Sequence, residues 1–336
     1  MKVYEVRGSF GIENLAMSER PQPLPGHGEV VVKVMAASVN YRDLLVVKGL
    51  YNPRLPLPRI PFSDGAGEVI AVGSGVSRVK EGDRVAGIFM QKWFSGELTE
   101  AGAKSALGGE IDGMLAEYAV LPEEGVAHLP DHLSYVEAAT LPCAAVTAWH
   151  AVIETGVKPG DTVLVLGTGG VSIFALQFAR LAGAQVIATS GSDAKLARAI
   201  QLGAAQGINY KVVPEWGRKV REITDGKGVD LVVEVGGAGT LPQSMKAVRI
   251  GGRISLIGVL TGNTGEVNPL PLVMKKVRLQ GILVGSREMF ESMNRAIGTH
   301  RLHPVIDRVF PFEEAREALR TMERGAHFGK ICIRIG

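Results

Sequence analysis

Residues 163–195 read VLVLGTGGVSIFALQFARLAGAQVIATSGSDAK. The apolar run from Thr162 to Leu166 predicts a strand, the glycines after it a tight turn, and the segment beyond them an amphipathic helix leading to a second strand. Gly167 and Gly169 fall on the spacing G-x-G-x-x-G, and Ser172 holds the third position, a small residue but not a glycine. Each position has a physical task. The first glycine allows the turn, the second lets backbone approach a pyrophosphate, and the third small residue permits close packing of helix on strand. The free N–H groups and positive dipole end of the helix point into the turn and make an anion site. Gly167, Thr168, Gly169, Gly170 and Val171 are therefore expected to cradle a dinucleotide.

The stretch also carries a signal about the ribose. In folds of this kind that prefer NAD, an acidic residue about 20 positions after the first glycine bonds the 2′-hydroxyl. Here that place reads Ala188, Thr189, Ser190, Gly191. No carboxylate stands there to repel a 2′-phosphate, Ser190 can donate to one, and Lys195 offers a positive charge one turn into the next helix. The reading favours NADP(H) over NAD(H).

Working outward, 336 residues suffice for two domains with separate cores. With 46% hydrophobic and 21% charged residues and a net charge of +3, the chain has the composition of an ordinary globular protein. Acidic and basic residues are interspersed without a basic block, which argues against nucleic acid or an anionic membrane surface as the main partner. The first residues, MKVYEVRGSFG, lack the apolar core of an export signal, and no apolar run reaches the length of a membrane span. Two cysteines, Cys143 and Cys332, are too few for a disulfide framework and fit a reducing cytoplasm.

Residues 1–125 are strand-rich and punctuated by glycine, as in EVVVKVMAASV at 29–39 and GAGEVIAVGSGV at 65–76. Further strands are expected at 207–209, 230–235, 252–258 and 277–283. With those at 163 and 185 they make six, the complement of a doubly wound parallel sheet. The tail leaves that alternation: a helix near 287–298, a strand at 305–310, the helix of FEEAREALRTMERG and the strand KICIRI should close back onto the first module. The polar stretch 91–112, QKWFSGELTEAGAKSALGGEID, reads as a surface loop, with Trp93 and Phe94 either anchoring its base or capping a cleft.

Taken together, GEVIAVGSGVSRVKEGDRV, LPCAAVTAWHAV, VLVLGTGGVS, INY and the terminal GKICI resemble the medium-chain dehydrogenase/reductase superfamily over essentially the whole chain. The resemblance implies an α/β protein with a GroES-like, β-rich catalytic domain (1–125 and 288–336) and a six-stranded doubly wound (Rossmann) domain for NADP(H) (126–287). At the places where zinc enzymes of that superfamily carry their ligands, this chain reads Asn40, Ser63 with Asp64, and Cys143. Catalytic zinc generally takes three protein ligands, and Asn and Ser are poor substitutes for Cys and His. The loop 91–112 also lacks the cysteines of a structural zinc lobe. No zinc is expected.

What remains is similar to the zinc-free quinone oxidoreductase branch, which carries an N-[YF]-x-D segment, here Asn40, Tyr41, Arg42 and Asp43, and a GLY-x-P turn that supplies Tyr51. The branch implies that Asn40 and Tyr51 flank nicotinamide and substrate and that Thr147 touches the cofactor. It further implies that Ser190, Lys195 and Tyr210 surround the 2′-phosphate and adenine. Backbone at Gly258, Val259 and the turn from Leu283 to Gly285 would hold the carboxamide, and Lys330 would approach the phosphates. Simpler roles stand beside these: Asn40 satisfying a turn, Tyr51 packing beside Pro53, Asp43 capping a helix.

Without a Lewis acid an alcohol is a poor substrate, whereas a quinone or α,β-unsaturated carbonyl takes hydride with the charge spread onto oxygen, where a phenol or amide can stabilise it. The expected activity is a zinc-independent reduction of such a small-molecule acceptor by NADPH. The competing readings are a zinc-type alcohol dehydrogenase acting on alcohols or aldehydes, and an NADPH-binding sensor or structural protein with little turnover. A homodimer pairing through the last strand of the nucleotide sheet, around 277–284, is expected by resemblance.

Overall fold

A computed structural model describes residues 1–262 and 264–336. The chain divides into two compact units, one formed by Met1–Val146 with Gly285–Gly336 and the other by Thr147–Val284.

In the unit made from both chain ends, a seven-stranded sheet runs in the order Ile306–Pro311, Lys330–Arg334, Glu29–Val39, Asp64–Val72, Arg84–Gly87, Val126–His128, with Tyr118–Pro122 also paired to Glu29–Val39. Glu29–Val39 is the organising strand. Its β-branched run suits a pleated surface buried on both sides, and its partners include the last strand, with Ile331 opposite Val39 and Cys332 opposite Ser38. That antiparallel pairing joins residues nearly the whole chain apart. Two cores flank the sheet. One gathers Val3, Leu15, Val39, Phe62, Leu115, Leu319 and Ile331, the other Val32, Val69, Val85, Met114 and Leu121. Each fully buried aliphatic or aromatic side chain contributes roughly 1.5–3 kcal/mol.

The Thr147–Val284 unit holds a six-stranded, all-parallel sheet in the order Gln206–Asn209, Gln185–Ser190, Thr162–Leu166, Val229–Glu234, Val248–Leu256, Arg278–Gly281. The two central strands are buried along almost their whole length, as helices on both faces require. Strand order reverses between Thr162–Leu166 and Val229–Glu234, and the carboxyl ends of these strands are where doubly wound sheets bind ligands.

Two expectations need correction. The domain boundary read from composition at 125/126 falls in front of Val126–His128, yet that strand hydrogen-bonds to Arg84–Gly87. The first unit therefore extends to Val146, and its return begins at Gly285 rather than 288. The stretch 91–112 is a surface loop over most of 92–104, but its polar composition hid the burial of 105–109. Ser105, Ala106 and Leu107 are buried, and Leu107 N donates to Phe89 O at 3.0 Å. Trp93 is buried too, its Nε1 donating to Gly96 O at 2.8 Å, which is the anchoring role. Among the described residues no helix is long and apolar enough to cross a membrane.

Candidate functional site

The glycine turn has the conformation its spacing requires. Gly167 sits at φ 73°, and a Cβ there would face open space. Gly169 is the N-cap of the helix Gly170–Leu181, and no side chain caps the helix start. The departure at the third position has a local cause: buried Ser172 donates from Oγ to Leu166 O at 2.6 Å, tying helix to strand where a glycine would merely pack. An open cradle of backbone donors at a helix N-terminus fits a dinucleotide pyrophosphate.

At the next strand end, Ser190 is largely buried and its Oγ accepts from Ser192 N at 3.3 Å. Ser192 caps the helix Asp193–Gln201, which carries Lys195 in its first turn. Tyr210 N donates to Ser190 O at 3.1 Å, bringing the INY segment against this loop. A Cβ added at Gly191 would come within 2.9 Å of both Tyr210 Oη and Lys211 Cε. Ser190, Tyr210 and Lys211 thus meet around Gly191, and Lys195 stands in the first turn of the helix that follows. The sequence reading missed Lys211, although it directly follows INY. Asp193, the acid nearest the strand end, accepts from Asn209 Nδ2 at 2.8 Å.

A second missed residue organises the other strand end. Glu234, fully buried, accepts from Gly236 N at 2.7 Å, Gly237 N at 3.2 Å, Thr240 Oγ1 at 2.6 Å and Ser244 Oγ. Those donors fold the loop after Val229–Glu234 against the 258–262 segment, where Thr261 Oγ1 donates to Gly236 O at 2.9 Å. Gly258 has no room for a side chain, since a Cβ would lie 2.3 Å from Val235 O. Val284 holds φ 52°, a strained value for a β-branched residue, with His150 Nδ1 2.8 Å from its carbonyl. Thr147 is buried on a helical stretch flanked by π-helical turns at Leu141–Ala145 and His150–Glu154.

In the unit built from the chain ends, Asn40 precedes the helix Tyr41–Val47, and its N–H donates to Asp43 Oδ2 at 2.8 Å. Asp43 Oδ1 accepts from Ser63 N at 3.2 Å, so this carboxylate ties two segments together, the structural role. Burial, opposed by Arg42 and reinforced by Asp64, pushes its pKa up to about 6. Phe62, just before Ser63, sits at φ 74°. Cβ atoms at Gly108 or Gly113 would collide with its backbone, so those glycines make room for the strained turn that presents Ser63 and Asp64.

Lys330, expected by resemblance near the phosphates, is caged by groups of its own unit. It is 2% exposed, and its ammonium donates to Val39 O at 3.0 Å and Asn40 Oδ1 at 2.5 Å and lies 3.5 Å from Asp64 Oδ2. The register of Lys330–Arg334 against Glu29–Val39 puts it there. Asp64 also accepts from Ser38 Oγ at 2.8 Å and Ser63 Oγ at 3.2 Å. Tyr51 is 47% exposed and packs its ring on the Arg42 guanidinium, 5.1 Å away, rather than on proline alone. Arg42 is in turn held by the Phe89 ring and by Leu107 O.

These donors do not fit zinc. Asn40 Oδ1 and Asp64 Oδ2 already face an ammonium, and Ser63 is a hydroxyl, which leaves Cys143 as the one thiol among these positions. Among the described residues no group of three or more His, Cys, Asp or Glu side chains is placed to hold a metal ion.

Comparison with known proteins supplies the frame. Residues 26–131 match the model of the alcohol dehydrogenase GroES-like domain, and residues 170–298 match the model described as zinc-binding dehydrogenase. A zinc-type alcohol dehydrogenase-like protein of Schizosaccharomyces pombe is 47% identical over 324 residues, 94% of this chain and 93% of that one. Human quinone oxidoreductase is 30% identical over 312 residues, 90% of this chain and 88% of that one. A crystal structure of an NAD-dependent alcohol dehydrogenase superposes with a TM-score of 0.92 at 38% identity, covering 100% of both chains.

Proposed function

This chain belongs to the medium-chain dehydrogenase/reductase superfamily, and from that premise we propose that it is a zinc-independent oxidoreductase using NADPH to reduce a quinone or an α,β-unsaturated carbonyl. The observation that carries the reading is the Lys330 ammonium lodged between Asn40 and Asp64, on the residues that would otherwise have to hold a metal.

In this reading the Thr147–Val284 unit binds the nucleotide. The Gly167–Val171 turn receives the pyrophosphate, while Ser190, Lys195, Tyr210 and Lys211 surround the 2′-phosphate. Thr147 lies against the cofactor, and backbone at Gly258, Val259 and Leu283 to Gly285 receives the carboxamide. When bound, NADPH supplies the hydride. Asn40 donates from Nδ2 to the acceptor oxygen as negative charge builds there. Tyr51, on the surface of its unit and braced by Arg42, completes the reduction by delivering a proton, directly or through water. One hydride and one proton convert a quinone to its hydroquinone or an enone to the saturated carbonyl.

The similarity to human quinone oxidoreductase supports this reading, and that to zinc-type and NAD-dependent alcohol dehydrogenases supports a second one, NAD-linked alcohol oxidation. Stopped-flow absorbance of NADPH with a panel of quinones and enones, on chelator-treated protein, separates them. Rapid oxidation of NADPH by a panel member supports the proposal. Turnover only with zinc, NAD⁺ and an alcohol sinks it, and binding without turnover on any acceptor favours a sensor.

We further propose a homodimer through the strand Arg278–Gly281. Its outer edge is unpaired among the described residues, all four of its residues are exposed, and Leu270, Val273 and Met274 nearby are exposed as well.

A further inference from the structure

We propose that Lys330 is a positioning residue: it binds the Asn40 carboxamide oxygen so that the amide can present only its Nδ2 donor to the acceptor. The inference rests on the reading of Asn40 given above.

Lysine has three N–H donors and no acceptor, and a carboxamide has one end of each kind. With Lys330 Nζ 2.5 Å from Oδ1, turning the amide over would set NH₂ against an ammonium, donor against donor in a buried site. The rest of the cage prevents the ammonium from moving aside. Val39 O takes a second N–H at 3.0 Å, and Asp64, held by Ser38 and Ser63, lies on another side at 3.5 Å. Asn40 is likewise fixed through its backbone by Asp43. Its Nδ2 makes only a long contact, 3.4 Å, to Ser63 Oγ, and so retains donor capacity for a ligand oxygen. An amide free to flip would offer its oxygen lone pairs part of the time, and these repel the oxyanion of a reduced acceptor. The cation on Oδ1 also polarises the amide toward a stronger N–H donor.

The test is a double-mutant cycle in kcat for Lys330→Met, Asn40→Ala and the double variant, with NADPH affinity measured for each. Removing one oxyanion donor typically lowers kcat about 100-fold or more. Asn40→Ala should show such a loss and Lys330→Met one of about 10-fold or more, while the double variant should be no worse than Asn40→Ala and NADPH affinity should stay within about 2-fold. Losses that multiply, or an unchanged kcat in Lys330→Met, overturn the proposal. So does a 10-fold loss of NADPH affinity with kcat retained, which would return Lys330 to the phosphates.

Because Lys330→Met leaves Asp64 buried beside no cation, folding is a separate risk, and NMR of the wild-type ammonium covers it. Slow solvent exchange of the Lys330 Nζ protons, with a shift on Asn40→Ala, supports the pairing; a signal indifferent to Asn40→Ala overturns it. Absence of turnover in the wild type sinks the underlying reading and this proposal with it. Wild-type turnover with multiplying losses sinks this proposal alone.

Discussion

Tyr210 Oη lies 2.9 Å from the point where Gly191 would carry a Cβ, so the loop after Gln185–Ser190 and the loop after Gln206–Asn209 close on each other with room for nothing larger than glycine. Lys211 Cε lies 2.9 Å from the same point, so this lysine stands at the Gly191 loop, the proposed 2′-phosphate site.

Lys195→Ala and Lys211→Ala should each weaken NADPH binding about 10-fold, the worth of a charge-assisted hydrogen bond, and change NADH binding less than about 2-fold. Fluorescence titration with both cofactors checks this. Equal losses for NADH and NADPH would show that neither lysine reads the 2′-phosphate.

Gly167→Ala should fold, because the added methyl meets no atom within 4 Å, but at φ 73° it should cost about 1–2 kcal/mol of stability. Its methyl would occupy the open space assigned to the pyrophosphate, so nucleotide affinity should fall by more than the stability loss suggests. Urea unfolding and calorimetric titration measure the two effects separately. Unaltered nucleotide affinity would remove the turn from the binding site.

Asp43 gives the fold a defined pH dependence. Its pKa rises from an ordinary carboxylate value to about 6 on folding, through burial and the neighbouring Asp64 against the opposing Arg42 and Lys330. Between about pH 4 and 6 the folded state then holds the extra proton, so this residue's contribution to stability is present at low pH and declines as pH rises through 6. In Asp43→Asn that segment of the pH dependence should vanish. Denaturant unfolding from pH 4.5 to 7.5 for both proteins reads it, and parallel curves would contradict the assignment.

Leu279→Lys should convert a dimer to monomers without loss of fold, because Leu279 is exposed on the edge strand and its removal opens no cavity. Sedimentation velocity of both proteins decides. A wild type that sediments as a monomer, or a variant that stays dimeric, would place the interface elsewhere.

The sequence by itself determined the nucleotide-binding fold, because every signal it needs is local. An apolar run, two spaced glycines and a helical period lie within 163–195, and the strand that follows ends without an acid at 188–191. The six-stranded count and the return of the chain's tail were legible for the same reason. Tertiary structure decided what depends on register between distant strands. Lys330 and Asn40 are 290 residues apart, and only the pairing of Ile331 with Val39 makes this lysine the partner of an amide oxygen. Glu234 and Lys211 escaped notice because a buried carboxylate and an exposed lysine look ordinary in one dimension. Their significance comes from the backbone donors gathered on one and the glycine packed against the other.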